Sequence, residues 1–175
     1  MKKLAFACVI AAFSFEVGCK TMTVAPVAPV NSANRIPPGA RIYVATPNDG
    51  NYNGRLYPGS GAVVATAFDS AFSRFSNSVI VGPRSDSAAD GIARAKEKNC
   101  AYAVMPNITK WEDRATEWSG IRDKMELFVK VIRVDDGVSI ASAEIKGKSR
   151  WMTFGGDHPQ DLVKVPVDQF VATLF

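Results

Sequence analysis

The sequence has very little of what histidine chemistry or disulfide bonding requires. Its 175 residues include one histidine and three cysteines. One histidine excludes a histidine-rich metal site, and three cysteines cannot build a disulfide framework. The net charge is only +4, from 21 basic and 17 acidic residues. This excess is scattered, which argues against a nucleic-acid partner. We predict no catalytic residues, no bound metal and no cofactor, and therefore a protein that is not an enzyme.

The chain also lacks an apolar run long enough to cross a membrane as a helix. Its longest such run, Leu4 to Phe15, has twelve residues, whereas a spanning helix needs about 20. The run follows the basic start Met1-Lys2-Lys3 and ends close to the small residue Gly18. A charged start, a short apolar centre and a small residue before a break are typical of a secretory signal peptide. We predict one over residues 1–18.

Gly18 is followed by Cys19, and a small residue followed by cysteine after such a run resembles the lipobox of bacterial lipoproteins. The resemblance implies cleavage before Cys19, acylation of that cysteine and attachment to a membrane. Glu16 departs from the pattern, since the family usually has leucine three positions before the cysteine. Lys20 rather than aspartate follows the cysteine, which by the same resemblance favours the outer membrane, with the protein facing the periplasm. The alternative is an ordinary cleaved signal peptide in which Cys19 is incidental.

Residues 19–38 contain the predicted lipidated cysteine and a tether. The segment from Lys20 to Pro38 has four prolines, no aromatic residue and no helical or alternating pattern. Such composition predicts a semi-extended spacer. Residues 39–175 are then a single folded domain. Within it Cys100 opens an apolar run and is expected to be a small buried residue without a disulfide.

The hydrophobic pattern of this domain alternates between the strand period and the helix period. It predicts strands over 40–46, 78–82, 101–108 (continuing towards Trp111), 123–134 and 138–145, and helices beginning near Ser60, Ser87 and Pro159. The order βαβαβ followed by a β-hairpin and a helix predicts an α/β fold, a two-layer or three-layer sandwich with a mixed sheet of about five strands and three helices. The strand over 123–134 is apolar on both faces, so we expect it to be central and covered on both sides. Pro166 is expected to break the last helix.

Two short motifs have a simple and a functional interpretation. Gly59-Ser60-Gly61 precedes a helix and is interpreted as a turn with Ser60 as the N-cap, or as a cradle for an anion. Asp157-His158-Pro159 is interpreted as a helix cap with proline in the first turn, or as part of a catalytic dyad.

The most unusual segment is Trp111-Glu-Asp-Arg-Ala-Thr-Glu-Trp-Ser-Gly120, which links two predicted strands. Tryptophan and arginine contribute strongly to protein interfaces, and loops held by a rigid sheet often carry function. The segment is an extended hairpin packed on the sheet, a surface for a partner, or a carboxylate cluster for a cation or acid–base chemistry. The candidate partner-binding residues are Trp111, Glu112, Asp113, Arg114, Glu117 and Trp118.

With Tyr57-Pro-Gly-Ser-Gly61, Lys146-Gly-Lys-Ser149 and Asp157-His-Pro159, this tryptophan segment resembles the bacterial lipoproteins grouped as domain of unknown function 4823. The resemblance implies a cell-envelope setting and brings no activity. The strand order is also similar to the small α/β domain of the TolB amino-terminal region and the curli-secretion lipoprotein, a likeness of fold that does not carry function.

Together these features predict a membrane-anchored lipoprotein that acts as a non-enzymatic binding or accessory module of the cell envelope. Its partners would be the membrane, through the lipid on Cys19, and an envelope protein or cell-wall component. Two alternatives stay open. One is a periplasmic hydrolase that uses Asp157, His158 and the carboxylates near Trp111. The other is a subunit of an envelope secretion assembly.

Overall fold

A computed structural model describes residues 20–28, 35–84, 87–113, 122–149 and 158–175. The strands are β1 (Thr21–Ala28), β2 (Ile42–Thr46), β3 (Asn51–Tyr52), β4 (Arg55–Leu56), β5 (Val79–Arg84), β6 (Tyr102–Glu112), β7 (Lys124–Arg133) and β8 (Ser139–Lys148). The helices are α1 (Ser60–Phe72), α2 (Ala88–Glu97) and α3 (Lys164–Ala172), and a 3-10 helix (Pro159–Leu162) precedes α3. Within the described ranges no helix combines the length and the apolar character that crossing a membrane requires.

Six of the strands form one mixed sheet in the order β1-β8-β7-β6-β2-β5. β2 is parallel to both β5 and β6, because α1 and α2 are the crossovers of two βαβ units. The pairs β6–β7, β7–β8 and β8–β1 are antiparallel. The predicted α/β class, the mixed sheet and the central position of β7 are confirmed.

The helices cover the two faces of the sheet unequally. One face packs on α1 and α3 and forms the main core, in which Phe68, Leu127 and Phe170 are buried. The other face has a small core beneath α2, which includes Tyr43, Ala95 and Cys100. Cys100 is buried and forms no disulfide, as predicted, and burial raises the pKa of its thiol. The fold therefore has three layers over β2 and β6 and two layers elsewhere.

The segment predicted to be a spacer contributes the sixth strand. Residues Thr21 to Ala28 pair along β8, from Thr21 opposite Lys148 to Ala28 opposite Ser142. Further along, the amide of Ile36 donates to the carbonyl of Leu174 at 2.8 Å. The interpretation of 21–28 as a semi-extended spacer is therefore wrong, because the edge of β8 offers backbone partners that composition alone does not reveal.

Three smaller expectations are corrected. Pro166 lies in the first turn of α3, where an amide hydrogen has no partner within the helix, so it does not break that helix. Asn53 and Gly54, with φ of 51° and 77°, form the turn of the small β3–β4 hairpin in a segment predicted to be a loop. β7 is not covered on both sides, since Phe128 is half-buried and Lys130 is exposed.

Candidate functional site

The candidate residues gather at one end of the sheet. The carboxyl ends of the parallel strands β2, β5 and β6 lie there, and so do the end of β8 and the start of β7. We call this region the strand end. In open α/β sheets, ligands bind beyond the carboxyl ends of the parallel strands. The topology therefore places the tryptophan segment where a site is expected.

Trp111, at the strand end, is part of the core. It is 2% exposed and packs against Gly50, where an added Cβ would collide with the Cβ and Cγ of Trp111. This side chain therefore fixes the loop after β2 against β6. Trp111 offers a partner almost no surface, and its contacts are those of the packed-hairpin interpretation.

Glu112 is buried on the opposite face of β6. The residue is 1% exposed, and one carboxylate oxygen lies 3.4 Å from Nζ of Lys110 and 3.6 Å from Nζ of Lys124. Two partly exposed ammonium groups beside a buried carboxylate compensate its charge. Glu112 therefore organises the local charges of the sheet and has no free surface for a partner.

Asp113, Asp123 and His158 converge at the strand end, from the end of β6, the start of β7 and the residue before the 3-10 helix. Nδ1 of His158 lies 3.4 Å from a carboxylate oxygen of Asp113. One ligand atom from each of the three residues lies within 4.8 Å of the other two. The Asp123 amide donates to Oγ of Ser149 at 2.9 Å, and the Tyr57 hydroxyl donates to the carbonyl of Asp113 at 3.0 Å. Backbone and side-chain contacts thus position all three groups.

This arrangement allows two kinds of chemistry. An imidazole nitrogen and two carboxylates are ligands that divalent cations accept. His158, oriented by Asp113, also has the geometry of a general base. The convergence that the hydrolase hypothesis requires is thus met for His158 and a carboxylate near Trp111. Asp157, the other residue of that hypothesis, lies outside the described residues, and the hydrolase stays a hypothesis.

A cleft of about 370 Å³ opens beside Asp113. One wall is the β3–β4 hairpin, where Leu56 is 54% exposed and the Arg55 guanidinium lies 5.2 Å from the centre of the Tyr57 ring. Gln160 of the 3-10 helix and Trp111 line the other side. We call this the strand-end cleft. It combines an exposed apolar side chain, a cation and a carboxylate, a mixture suited to binding a polar partner with an apolar anchor.

The Gly59-Ser60-Gly61 motif does not hold an external anion. The Gly61 amide, in the first turn of α1, donates to Asp49 at 2.9 Å, and the other carboxylate oxygen of Asp49 lies 2.7 Å from Arg84. The protein's own carboxylate therefore occupies the helix start. The N-cap is Gly59, with φ of 90°, and not Ser60. The Ser60 hydroxyl accepts from Gly50 at 2.8 Å and donates to Tyr57 at 2.7 Å.

Some of the residues predicted from the sequence belong to the described part of the chain and others do not. Trp111, Glu112, Asp113 and His158 are placed as above, whereas Cys19, Arg114, Glu117, Trp118 and Asp157 lie outside the described residues. Asp123 was not among the residues predicted from the sequence. Its signal was the predicted pairing of neighbouring strands, because antiparallel pairing of Glu112 with Lys124 brings Asp113 and Asp123 side by side.

Comparison with known proteins gives one family match and several similar folds. A family model described as Domain of unknown function (DUF4823) matches residues 34–174. The PelC dodecamer from Paraburkholderia phytofirmans is similar with a TM-score of 0.65 at 13% identity, over 89% of this chain and 97% of that one. Lipoprotein GNA1162 from Neisseria meningitidis has a TM-score of 0.47 at 15% identity, over 76% and 99%. No curated protein matches the sequence.

Proposed function

The chain belongs to the family described as Domain of unknown function (DUF4823), and from that premise we propose that it is a lipid-anchored, non-enzymatic accessory protein of the bacterial envelope. The family match confirms the resemblance found in the sequence but brings no activity with it. The role is therefore argued from the geometry of this chain.

The position of β1 carries the proposal. β1 begins at Thr21, two residues after Cys19, and two residues of extended chain span about 7 Å. Acylation of Cys19 would thus attach the edge of the sheet directly to the bilayer. Several acyl chains give a stable anchor, since each buried methylene contributes about 0.8 kcal/mol. A domain joined so closely to its anchor would stay at the membrane surface and meet other envelope components there.

Binding is assigned to the strand-end cleft. Among the described residues the cleft brings together exposed Leu56, the cation of Arg55 and the carboxylate of Asp113. Trp111 and Glu112 support it from within the fold, while Arg114, Glu117 and Trp118 continue the chain directly from Asp113. The partner is expected to be an envelope protein or a cell-wall component.

The anchor is tested by metabolic labelling with a fatty acid in cells that make the wild type or Cys19→Ala. Acylation predicts label in the wild type and none in the variant. Cell fractionation should then place the wild type with membranes, and separation of the two membranes tests the outer-membrane location. An unmodified amino terminus in the mass spectrum of the wild type would contradict the anchor.

The cleft is tested with a photo-crosslinking residue placed at Gln160, whose crosslinked products are compared in the presence of Leu56→Asp or Val138→Asp. Leu56 is 54% exposed in the cleft. Val138 is 48% exposed at the turn between β7 and β8 and is the matched control. Leu56→Asp should abolish the crosslinked species and Val138→Asp should preserve it, with unchanged melting temperatures. Equal crosslinking in both variants would exclude the cleft as the contact.

The second candidate function is a subunit of an envelope assembly, as in the secretion hypothesis. The observation that favours it is the similarity to PelC, whose structure is a dodecamer. This chain has two different sheet edges, β1 and β5, with exposed Val27 and Val81 on them. Contact between unlike edges of successive copies is heterologous, which is the type of contact that closes rings.

This candidate is tested by measuring the mass of the lipidated protein in detergent by light scattering. An assembly predicts a multiple of the monomer mass, reduced to the monomer by Val81→Lys on the edge of β5. Val165→Lys, on exposed helix surface, is the matched control and should leave the mass unchanged. A monomer for the wild type would eliminate the candidate without affecting the accessory role.

A further inference from the structure

We infer that the part of the sheet face left uncovered by α2, carrying Lys110, Lys124, Lys146 and Lys148, lies on the anionic headgroups of the membrane to which the chain is anchored. We call these residues the lysine face. The inference deepens the proposed function, on which it rests, by assigning the orientation of the domain and the chemistry of the surface it contacts.

The register of the sheet places the lysine face next to the anchor. Thr21 pairs with Lys148, which pairs with Lys124. In the next row of the same face, Thr23 of β1 pairs with Lys146 of β8. Lys146 in turn pairs with Glu126 of β7, and Glu126 pairs with Lys110 of β6. Neighbouring strands are about 4.8 Å apart, so these two rows extend about 15 Å from the first residues of β1. All four lysines therefore lie close to the lipid whenever Cys19 is acylated.

The charge of these rows is positive. They contain the four lysines against Glu112 and Glu126, a net charge of +2, and further along the same face Glu144 and Lys130 balance each other. Lys110 and Lys124 share Glu112, and Lys146 pairs with Glu144 at 2.8 Å with 45% of its side chain exposed. Lys148 is exposed, and no ion pair of it is found within the described residues. Lysines beside an anchor attract anionic lipid within about one Debye length of the surface.

The opposite face of these strands could not take this position, because α1 and α3 cover it. α2 lies on the same side of the sheet as the lysine face, but over β2 and β6, away from the anchored edge at β1. With the lysine face on the headgroups, both helices and the side of the strand-end cleft formed by Tyr57 and Gln160 point away from the bilayer. A lipid anchor joined to a basic patch is a known combination for stable membrane attachment. The same orientation thus leaves the cleft accessible to a partner.

The experiment uses the lipidated chain on vesicles of phosphatidylcholine, with or without phosphatidylglycerol. A fluorophore is attached at Thr23→Cys, an exposed position on the lysine face, or at Val165→Cys on α3, 47% exposed. Cys100 is buried and should stay unlabelled. Acrylamide quenching should be suppressed for the first label on phosphatidylglycerol vesicles only, and should be unchanged for the second.

The charge variant is Lys146→Glu/Lys148→Glu. The control is Arg74→Glu/Lys164→Glu, which makes the same change in net charge at exposed positions on the α1 and α3 side of the sheet. The ratio of protected to accessible label should fall by at least about fivefold for each lysine reversed on the lysine face, and should not change in the control. Vesicle flotation separates the two proposals. Protein that does not float contradicts the anchor, whereas protein that floats with the Thr23 label equally quenched on both vesicles overturns the lysine face.

Discussion

The two faces of the sheet use the same strands in different ways. On the face toward α1 and α3, β7 presents Met125, Leu127, Val129 and Val131, all buried in the main core. On the other face the same strand presents Lys124, Glu126, Phe128 and Lys130, which are half-buried or exposed. Because side chains alternate along a strand, one sequence of ten residues encodes both a core and a surface. The comparison teaches that the apolar content of a strand does not by itself show how many of its faces are covered.

The difference divides the molecule into a part that maintains the fold and a part available for binding. The covered face ends at Trp111, whose burial fixes the strand end from inside. The uncovered face ends at Glu112, around which lysines gather. Neighbouring residues of one motif thus have separate roles, and variants at neighbouring positions can test the division.

Replacing Leu127 by alanine should have the largest effect. Leu127 is 1% exposed in the main core, and removing a fully buried leucine costs about 2–5 kcal/mol of the free energy of unfolding. Phe128→Ala is the matched control on the other face. Phe128 is half-buried, so its loss should cost about 1 kcal/mol. Urea denaturation measures both, and equal losses would contradict the asymmetry of the two faces.

Gly50→Ala should destabilise the protein next most strongly. The added methyl group meets the Cβ and Cγ of Trp111, and overpacking of this kind typically costs about 1–3 kcal/mol. A double-mutant cycle with Trp111→Gly identifies the contact, because the cost of Gly50→Ala should largely disappear when both the Cβ and the indole of Trp111 are absent. Additive losses would mean that Trp111 does not fix this loop.

Most of the fold was predictable because its local signals agree. The βαβ order, the Asp135-Asp136-Gly137 turn and the Ser87 cap, whose hydroxyl accepts from the Asp90 amide at 3.1 Å, follow from short-range chemistry. β1 was not predictable. Its proline-containing sequence has no strand pattern of its own, and its pairing depends on the free edge of β8, a partner about 120 residues away along the chain.

The candidate site was predictable in its location but not in its contacts. The sequence indicated the segment after β6, and the topology places it at the strand end. The sheet faces on which Trp111 and Glu112 lie depend on the β-bulge between Ile108 and Lys110. One extra residue in a strand moves each later side chain of that strand to the other face. His158 and Asp113 are 45 residues apart in the sequence. Their contact could not be predicted from local signals, because it depends on the packing of the 3-10 helix against the strand end.

A smaller effect is expected for Glu112→Gln on the uncovered face. The variant keeps the shape of the side chain but removes the negative charge between Lys110 and Lys124. Since both ammonium groups are about one-third exposed and can be hydrated, the cost should be about 1 kcal/mol. Glu126→Gln, half-buried on the same face, should change the free energy of unfolding by less than about 0.5 kcal/mol. A loss above that of Gly50→Ala would mean that Glu112 is essential to the fold.

The smallest effect is expected beneath α2, where Tyr43 is 1% exposed and its hydroxyl has no hydrogen-bond partner among the described residues. Tyr43→Phe removes a buried polar group without leaving a cavity, so stability should be unchanged or rise by about 1 kcal/mol at neutral pH. Burial raises the pKa of Tyr43 above its ordinary value of 10.0. The unfolded chain therefore ionises first as the pH rises above 10, and the wild type should lose stability there relative to Tyr43→Phe. Denaturation at several pH values measures the difference, and a destabilised variant at neutral pH would show that the hydroxyl is bonded.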